Sequence, residues 1–224
     1  MRSTLLCLLA LGVLPVASQA QEAQAPVFTI SQEDSAVTFF VKASVAIKGT
    51  FKAWDATLTF TSPELSTAVL DIKIQADSVS TGSGMKDGKL KSKDFFDAKQ
   101  NPLITFHSTK FAQTGPDTVE VDGDFTIRGV TKPEKLVFKV SRAASGEGGE
   151  VNGIMAFDRK DYGMNKGIPF VTIADRIEVT VHLKAKRVSG PPVDLKEAAA
   201  SSSLTPSYVP VLSRVGLRVD GPAY

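Results

Sequence analysis

The chain has 224 residues, with 26 lysines and arginines against 24 aspartates and glutamates, which gives a formal net charge of +2. Because so balanced a chain offers no concentrated basic face, we do not expect nucleic acid as a partner. The single cysteine, Cys7, lies in the first segment. Once that segment is removed, disulfides, zinc–thiolate sites and cysteine nucleophiles are excluded together.

Residues 1–20, MRSTLLCLLALGVLPVASQA, have the features of a secretory signal peptide. Arg2 supplies the charged start, an apolar run extends from Leu5 to Val13, and the small residues Ser18 and Ala20 precede a cleavage site. The apolar run is too short to span a membrane. We therefore predict cleavage after Ala20 and export to a bacterial periplasm. About two hundred residues remain, enough for one domain with a substantial core.

Apolar and polar residues alternate with a period of two along most of the remaining chain, which is typical of strands with one buried and one wet face. The alternating segments are 37–41, 54–60, 70–74, 104–106, 119–127, 136–140, 155–157 and 177–183. Turn signals such as TSPE, QTGPD, RGVTKPE and SGEGGE lie between them. Short connections of this kind join neighbouring strands in antiparallel fashion.

One-sided strands without a covering helix have to bury their apolar faces against each other, in a closed barrel or in a two-sheet sandwich. The long segments 48–60, 117–128 and 173–187 favour the barrel, because sandwich strands average nearer five or six residues. We predict an all-β, eight-stranded antiparallel barrel over residues 27–188. Alternation does not distinguish a solid apolar core from one that encloses a cavity, so both interpretations stay open.

The stretch KDGKLKSKDFFDAKQNPLITFHSTKF interrupts the strands. Residues 85–92 contain no β-branched residue and predict a short helix. Pro102 restricts the preceding residue to extended geometry and so marks the start of the next strand. We predict a helical lid near one mouth of the barrel, with Met85, Leu90, Phe95 and Phe96 facing the lumen. The lysines 86, 89, 91 and 93 are expected to stay in water.

Residues that could carry out catalysis are few. His107 and His182 both fall on the outer face of a predicted strand, and neither has a third metal ligand at a recognised spacing. No nucleophile-elbow motif accompanies any serine. We therefore expect neither an enzyme nor a metal site.

Arg159 follows Met155 and Phe157 in phase, so we expect its side chain to point inward. Because a buried arginine is rare without a partner, Asp161 or Asp175 is expected to neutralise it. The arginine either ties the last strands together through an ion pair or contacts the head group of a ligand.

Four ordered stretches carry a resemblance to a known family: SAVTFFVKASVAIKGTF, SVSTGSGMKDGKLKSKDFFDAKQNPLITFHSTKF, VDGDFTIRGVTKPEKLVFKV, and FDRKDYGMNKG followed by ADRIEVTVHLKAKR. The second is the most specific, with a T-G-x-x-M-K-D-x-x-L turn, an aromatic pair and then P-x-I-x-F-x-S. With these motifs the chain resembles the YceI-like polyisoprenoid-binding family of exported proteins. It departs from the pattern at "KASVAIKG", where many relatives have a histidine and this chain has Ala43 without one.

The resemblance implies an extended, lipocalin-like barrel whose lumen takes the tail of an amphiphilic isoprenoid or similar fatty lipid. The bound lipid would be a polyprenyl quinone or a precursor, with no other cofactor. We also expect transient membrane contact and a monomer or homodimer. The residues expected to line the lumen and the lid are Phe39, Val41, Phe51, Trp54, Leu58, Leu70, Ile72, Met85, Leu90, Phe95, Phe96, Ile104, Phe106, Phe125, Phe138, Met155, Phe157, Arg159, Ile177 and Val179.

An alternative from another class is a filled barrel that acts as an interaction or stress-response scaffold without lipid. A lumen blocked by aromatic side chains would favour this alternative, whereas a continuous apolar tunnel would favour a carrier. The remaining segment, 189–224, begins with the linker signal SGPPV and is broken by prolines. We expect it to be mostly irregular.

Overall fold

The computed structural model describes residues 24–143, 147–167 and 171–195. Within those residues it has one α-helix, α1 (Gly84–Lys91), and short 3-10 helices at Leu65–Thr67, Ala76–Ser78 and Arg159–Tyr162. The strands are β1 (Val27–Ala43), β2 (Ile47–Phe51), β3 (Trp54–Thr59), β4 (Val69–Gln75), β5 (Val79–Ser80), β6 (Leu103–Gln113), β7 (Thr118–Ile127), β8 (Val130–Arg142), β9 (Gly148–Asp158) and β10 (Ile173–Ser189).

All the strands belong to one antiparallel sheet, in the order β3-β4-β6-β7-β8-β9-β10-β1-β2-β5. The sheet curls into a half-barrel with its apolar face inside. The curl brings β3 close to the first half of β1, where the Gln32 side-chain amide donates to the Trp54 carbonyl at 3.0 Å. The rings of Phe28 and Phe60 meet at the same junction, with centroids 5.7 Å apart.

The described residues form ten strands, so the predicted number of eight is wrong. The segment 48–60, expected as one strand, breaks at Lys52 and Ala53 into β2, which pairs with β1, and β3, which pairs with β4. At the break the Lys52 N–H donates to the Ser78 carbonyl, and the Ala53 carbonyl accepts from the Gln75 N–H. Alternation identifies the buried face of a segment but not its partner, so it missed this exchange and the two-residue β5.

The first residue of β6 and the set of its side chains that point inward both confirm the sequence prediction. The strand begins at Leu103, directly after Pro102, and Ile104, Phe106 and Ser108 are all buried on the inner face. Ser108 is polar, but its hydroxyl accepts a hydrogen bond from the Leu70 N–H at 2.8 Å. A buried hydroxyl without such a partner would be costly.

Three glycines make room for large rings on the inner surface of the sheet. A Cβ built on Gly153 would lie 2.5 Å from the Phe138 ring, its partner in the β8–β9 register. The same 2.5 Å contact relates Gly49 to Phe39 and Gly123 to Phe106. Each ring therefore lies directly against backbone, in space that any other residue type would occupy.

We expect Gly153→Ala to lower the free energy of unfolding by roughly 1–3 kcal/mol, because the added methyl overlaps the Phe138 ring in a packed interior. Gly88→Ala in α1 is the matched control. Its Cβ meets nothing within 4 Å, and alanine favours a helix over glycine by about 0.5–1 kcal/mol. Urea unfolding of both variants measures the difference. Equal stability of the two variants would contradict the packing of Phe138 on Gly153.

The chain after β10 folds back over one end of the sheet. The Asp194 N–H donates to the Pro63 carbonyl at 2.9 Å, and Glu64 and Asp194 form a parallel β-bridge. The predicted signal peptide and the tail from residue 196 onward lie outside the described residues. In the described part of the chain, no helix is long and apolar enough to cross a membrane.

Candidate functional site

The interior of the curled sheet contains two apolar cavities. One, the lid cavity, lies beneath α1 and has a volume of about 80 Å³. The other, the distal cavity, lies toward the opposite ends of the strands and has a volume of about 260 Å³. None of the described residues lines both of them.

The lid cavity collects most of the residues that the sequence predicted for the lumen. Its apolar wall combines residues of β1, β2, β4, β6, β7, β9 and β10 with three residues of the lid segment, residues 84–98. The predicted residues in it are Phe39, Val41, Phe51, Leu90, Phe95, Phe96, Ile104, Phe125, Phe157, Arg159, Ile177 and Val179.

The lid segment closes this cavity with side chains that follow a bend. Helix α1 confirms the predicted helix, and after it the Phe96 N–H donates to the Leu90 carbonyl at 2.9 Å. That turn brings Phe95 and Phe96 inward, where 5% and 8% of their surface remain exposed. The ring of Phe96 packs on Phe51, with centroids 5.8 Å apart.

An ion pair on the outer side of the lid segment joins two of its own residues. Lys89 Nζ lies 2.7 Å from a carboxylate oxygen of Asp94 and 5.9 Å from the centroid of the Phe95 ring. The hydrogen bond from Lys89 lowers the pKa of Asp94 below its usual value of 3.8. Because the folded pKa is the lower one, the stabilising pair is complete above about pH 4 and is lost only as the pH falls through the folded pKa.

Two details of the predicted lid are wrong. Met85 was expected to face the lumen, but 88% of its surface is exposed. Residues 85 and 90 are separated by about 140° around a helix of 3.6 residues per turn, so Met85 points away when Leu90 points inward. Lys89 was expected in water, but it is only half exposed and stands with Lys86 at the rim of the cavity.

Arg159 is the buried charge of the lid cavity, with 6% of its surface exposed. One terminal nitrogen lies 2.9 Å from a carboxylate oxygen of Asp175, and the other donates to the carbonyls of Met164 and Lys166. Of the two predicted partners, Asp175 is therefore the right one; Asp161 instead lies 3.6 Å from Lys132 Nζ. The guanidinium therefore links residues 164 and 166, which precede β10, to Asp175 within β10. It also lines the lid cavity.

We expect Arg159→Met to lower the free energy of unfolding by roughly 2–3 kcal/mol, because it leaves the buried Met164 carbonyl and the part-buried carbonyls of Lys166 and Ala174 without a charged donor. Arg176→Met is the matched control. Its side chain is 71% exposed and lies 3.7 Å from Glu178, so the change should stay within about 0.5 kcal/mol. Chemical unfolding of both variants tests this. Equal effects of the two substitutions would contradict a structural role for Arg159.

The distal cavity contains residues that the sequence prediction largely missed. Leu58, Leu70 and Phe138 from the predicted set line it. Phe28 and Ile30 also line it, because β1 begins at Val27 rather than near residue 37. A register shift between residues 31 and 36 interrupts the alternation there. The alternation of residues 27–30 is the signal that could have revealed this first half of β1.

A central layer of side chains stands between the two cavities. Along β4, Leu70 lines the distal cavity, Ile74 lines the lid cavity, and Ile72 between them lines neither. The same order along the strand recurs on β6, β7, β9 and β10. The central layer comprises Ile72, Phe106, Val121, Met155 and Val181, all buried. The lumen is therefore neither completely filled nor one continuous tunnel.

Trp54 was also predicted to line the lumen. It is half-buried at the start of β3 and packs against the core, but lines neither cavity. Three of the predicted residues, Ile72, Phe106 and Met155, belong to the central layer.

The two histidines lie on the outer surface, as the sequence predicted. His107 Nδ1 is 2.7 Å from a carboxylate oxygen of Asp71, and His182 Nδ1 is 2.8 Å from the side-chain oxygen of Asn152. Among the described residues no group of three metal-ligating side chains occurs. Every buried side-chain nitrogen or oxygen in that part of the chain has a hydrogen-bond partner.

Comparison with known proteins agrees with this architecture. The model of the YceI-like domain matches residues 28–185. A UPF0312 protein of Pseudomonas savastanoi pv. phaseolicola is 34% identical over 124 residues, or 53% of this chain and 64% of that protein. The chain therefore spans slightly less than two thirds of this relative's length.

Two solved structures are similar in fold. BcnA of Burkholderia cenocepacia superimposes with a TM-score of 0.63 at 24% identity, covering 70% of this chain and 99% of that chain. A polyisoprenoid binding domain of Saccharophagus degradans gives a TM-score of 0.57 at 14% identity, covering 72% and 99%. At these identities the likeness concerns the fold alone.

Proposed function

Because the chain belongs to the YceI-like family, we propose that it binds the hydrocarbon tail of an amphiphilic isoprenoid or similar long-chain lipid inside the curled sheet. The proposal includes export to the periplasm, where such a lipid crosses water poorly without a carrier. It assigns the protein to binding rather than catalysis. The class of ligand is suggested by the similar fold of the Saccharophagus degradans polyisoprenoid binding domain.

The observation that carries the proposal is the lid cavity. Strand side chains form its apolar wall, and a segment outside the sheet closes it with three buried side chains, Leu90, Phe95 and Phe96. Each methylene group that enters such a space from water gains roughly 0.8 kcal/mol. A tail of several isoprene units therefore has ample driving force, even after the ordering cost of its chain.

The closed lid cavity is too small for a whole lipid tail. Its 80 Å³ compares with about 300–1,000 Å³ for typical ligand pockets. Loading therefore requires the lid segment to move outward, and the central layer limits how far the tail extends along the lumen. The lid segment suits such a movement, because it lies outside the sheet and its Lys89–Asp94 ion pair joins two residues of the segment itself, so the pair can persist when the segment moves.

The test is lipid analysis of the purified protein. Organic-solvent extraction followed by mass spectrometry should recover an amphiphile in near-stoichiometric amount, and added polyprenyl quinone should be taken up. Consistent absence of both would count decisively against the proposal.

The central layer also supports a second candidate, a scaffold that binds no lipid. Buried side chains such as Phe106 already occupy the middle of the lumen. A scaffold would be recovered without lipid and would not take up quinone, so the same experiment separates the two functions.

A further inference from the structure

The distal cavity is a candidate for a separate binding site. It is larger than the lid cavity, shares no residue with it and lies behind the central layer. We propose that it binds the single hydrocarbon chain of a fatty acid, whose carboxylate contacts Arg142 and Arg187 at the mouth. This site is independent of the lid cavity and of the ligand proposed there.

The charge at the mouth is unusual for an apolar cavity. In the part of the chain that the structure describes, Arg142 and Arg187 are the two charged residues that line it, and both are cations. Among the described residues, no carboxylate lies within ion-pair distance of either guanidinium. Arg187 is half-buried and donates to the Gly190 carbonyl, which orients its side chain. A guanidinium without an acidic partner matches a carboxylate through two parallel hydrogen bonds.

The backbone brings the two arginines to one side of the mouth. Arg142 pairs with Gly149 across β8 and β9, and the Arg187 N–H donates to the Glu147 carbonyl at 2.6 Å. The two strands that carry them therefore flank the start of β9, about 10 Å apart. Gly148 and Gly149 lie between the two strands, and a Cβ on either would collide with the backbone of a neighbouring strand, so no side chain projects from these positions. One carboxylate is within reach of both flexible side chains.

The walls suit a hydrocarbon chain, and a segment of this chain covers them. Aromatic and aliphatic residues from eight strands form the interior, among them Phe28, Phe111 and Leu183. Pro192, Val193 and Leu195 lie over it, held by the bond from Asp194 to Pro63. At about 260 Å³ the cavity is near the lower end of ligand pockets, which favours one chain over the two chains of a phospholipid.

The experiment uses cis-parinaric acid, whose fluorescence rises in an apolar environment, and the corresponding alcohol, which lacks the carboxylate. The purified protein should bind the acid at one site and bind the alcohol more weakly. The variant with Arg142→Gln and Arg187→Gln should weaken acid binding about tenfold, as expected for lost charge-assisted hydrogen bonds, and leave the alcohol unchanged. Arg176→Gln, on the outer surface of β10, is the matched control and should change neither.

Two filling variants assign the site. Ala185→Phe places a ring in the distal cavity and should abolish uptake of the acid without affecting polyprenyl quinone, whereas Val179→Phe in the lid cavity should do the reverse. Acid binding that survives the double arginine variant unchanged, or that is lost in Val179→Phe, would overturn the proposal. Arg142 is exposed and Arg187 only half-buried, so the arginine variants leave the apolar interior unchanged and keep the test decisive if a filling variant does not fold. Quinone uptake without acid binding would reject the distal site alone.

Discussion

Replacing Phe95 and Phe96 together with alanine is expected to empty the lid cavity while the sheet stays folded. Both rings are buried, but both lie outside the strands, so their loss breaks no bond of the β-ladder. Truncating a buried phenylalanine typically costs about 3–5 kcal/mol. Here the loss destabilises the closed lid segment relative to the open one, because that segment can open locally without unfolding of the sheet.

The measurements are the lipid content of the purified variant, the release rate of bound polyprenyl quinone and the strand signal in circular dichroism. We expect release to accelerate at least about tenfold, since 1.4 kcal/mol already corresponds to a factor of ten. Lys93→Ala with Lys99→Ala is the matched control, because both lysines are exposed in the same connection. If the double alanine variant unfolds outright, the two phenylalanines are core residues that the whole fold requires, and the proposed gating role is wrong. Normal lipid content and release would show that the segment does not gate the cavity.

Phe106→Ala is expected to join the two cavities. Phe106 lies in the middle of β6, 4% exposed, and its ring lies in the central layer against Gly123. Removing the ring should lower the free energy of unfolding by about 3–5 kcal/mol, because Gly123 has no side chain that could occupy the vacated space. The same gap connects the lid cavity with the distal cavity, so a longer hydrocarbon chain fits.

A series of polyprenyl quinones of increasing length measures the second effect. The unaltered protein should reach its highest affinity at a shorter tail than the variant does. Phe40→Ala is the matched control: Phe40 is on the other face of β1, beside Lys48, and lines neither cavity. If the length preference of Phe106→Ala stays that of the unaltered protein, the central layer already yields to ligand and does not limit tail length.

The sequence was most informative where structure depends on neighbouring residues. Alternation correctly placed Ile104, Phe106 and Ser108 on the inner face, because successive side chains of a strand point to opposite sides. The helix and the sharp start of β6 followed from residue types within a few positions. The inward direction of Arg159 and its need for an acidic partner followed from phase and from the cost of an unpaired buried charge, whereas the choice of Asp175 over Asp161 came only from the structure.

The tertiary structure alone decided the features that depend on residues far apart in the chain. The exchange of partners between β2 and β3 and the division of the lumen by the central layer are of this kind. Alternation specifies which face of a strand is buried, but not which strand lies opposite or how much space remains between them. A cavity is the volume left over when side chains from many strands have packed, and that volume is set by the curl of the sheet.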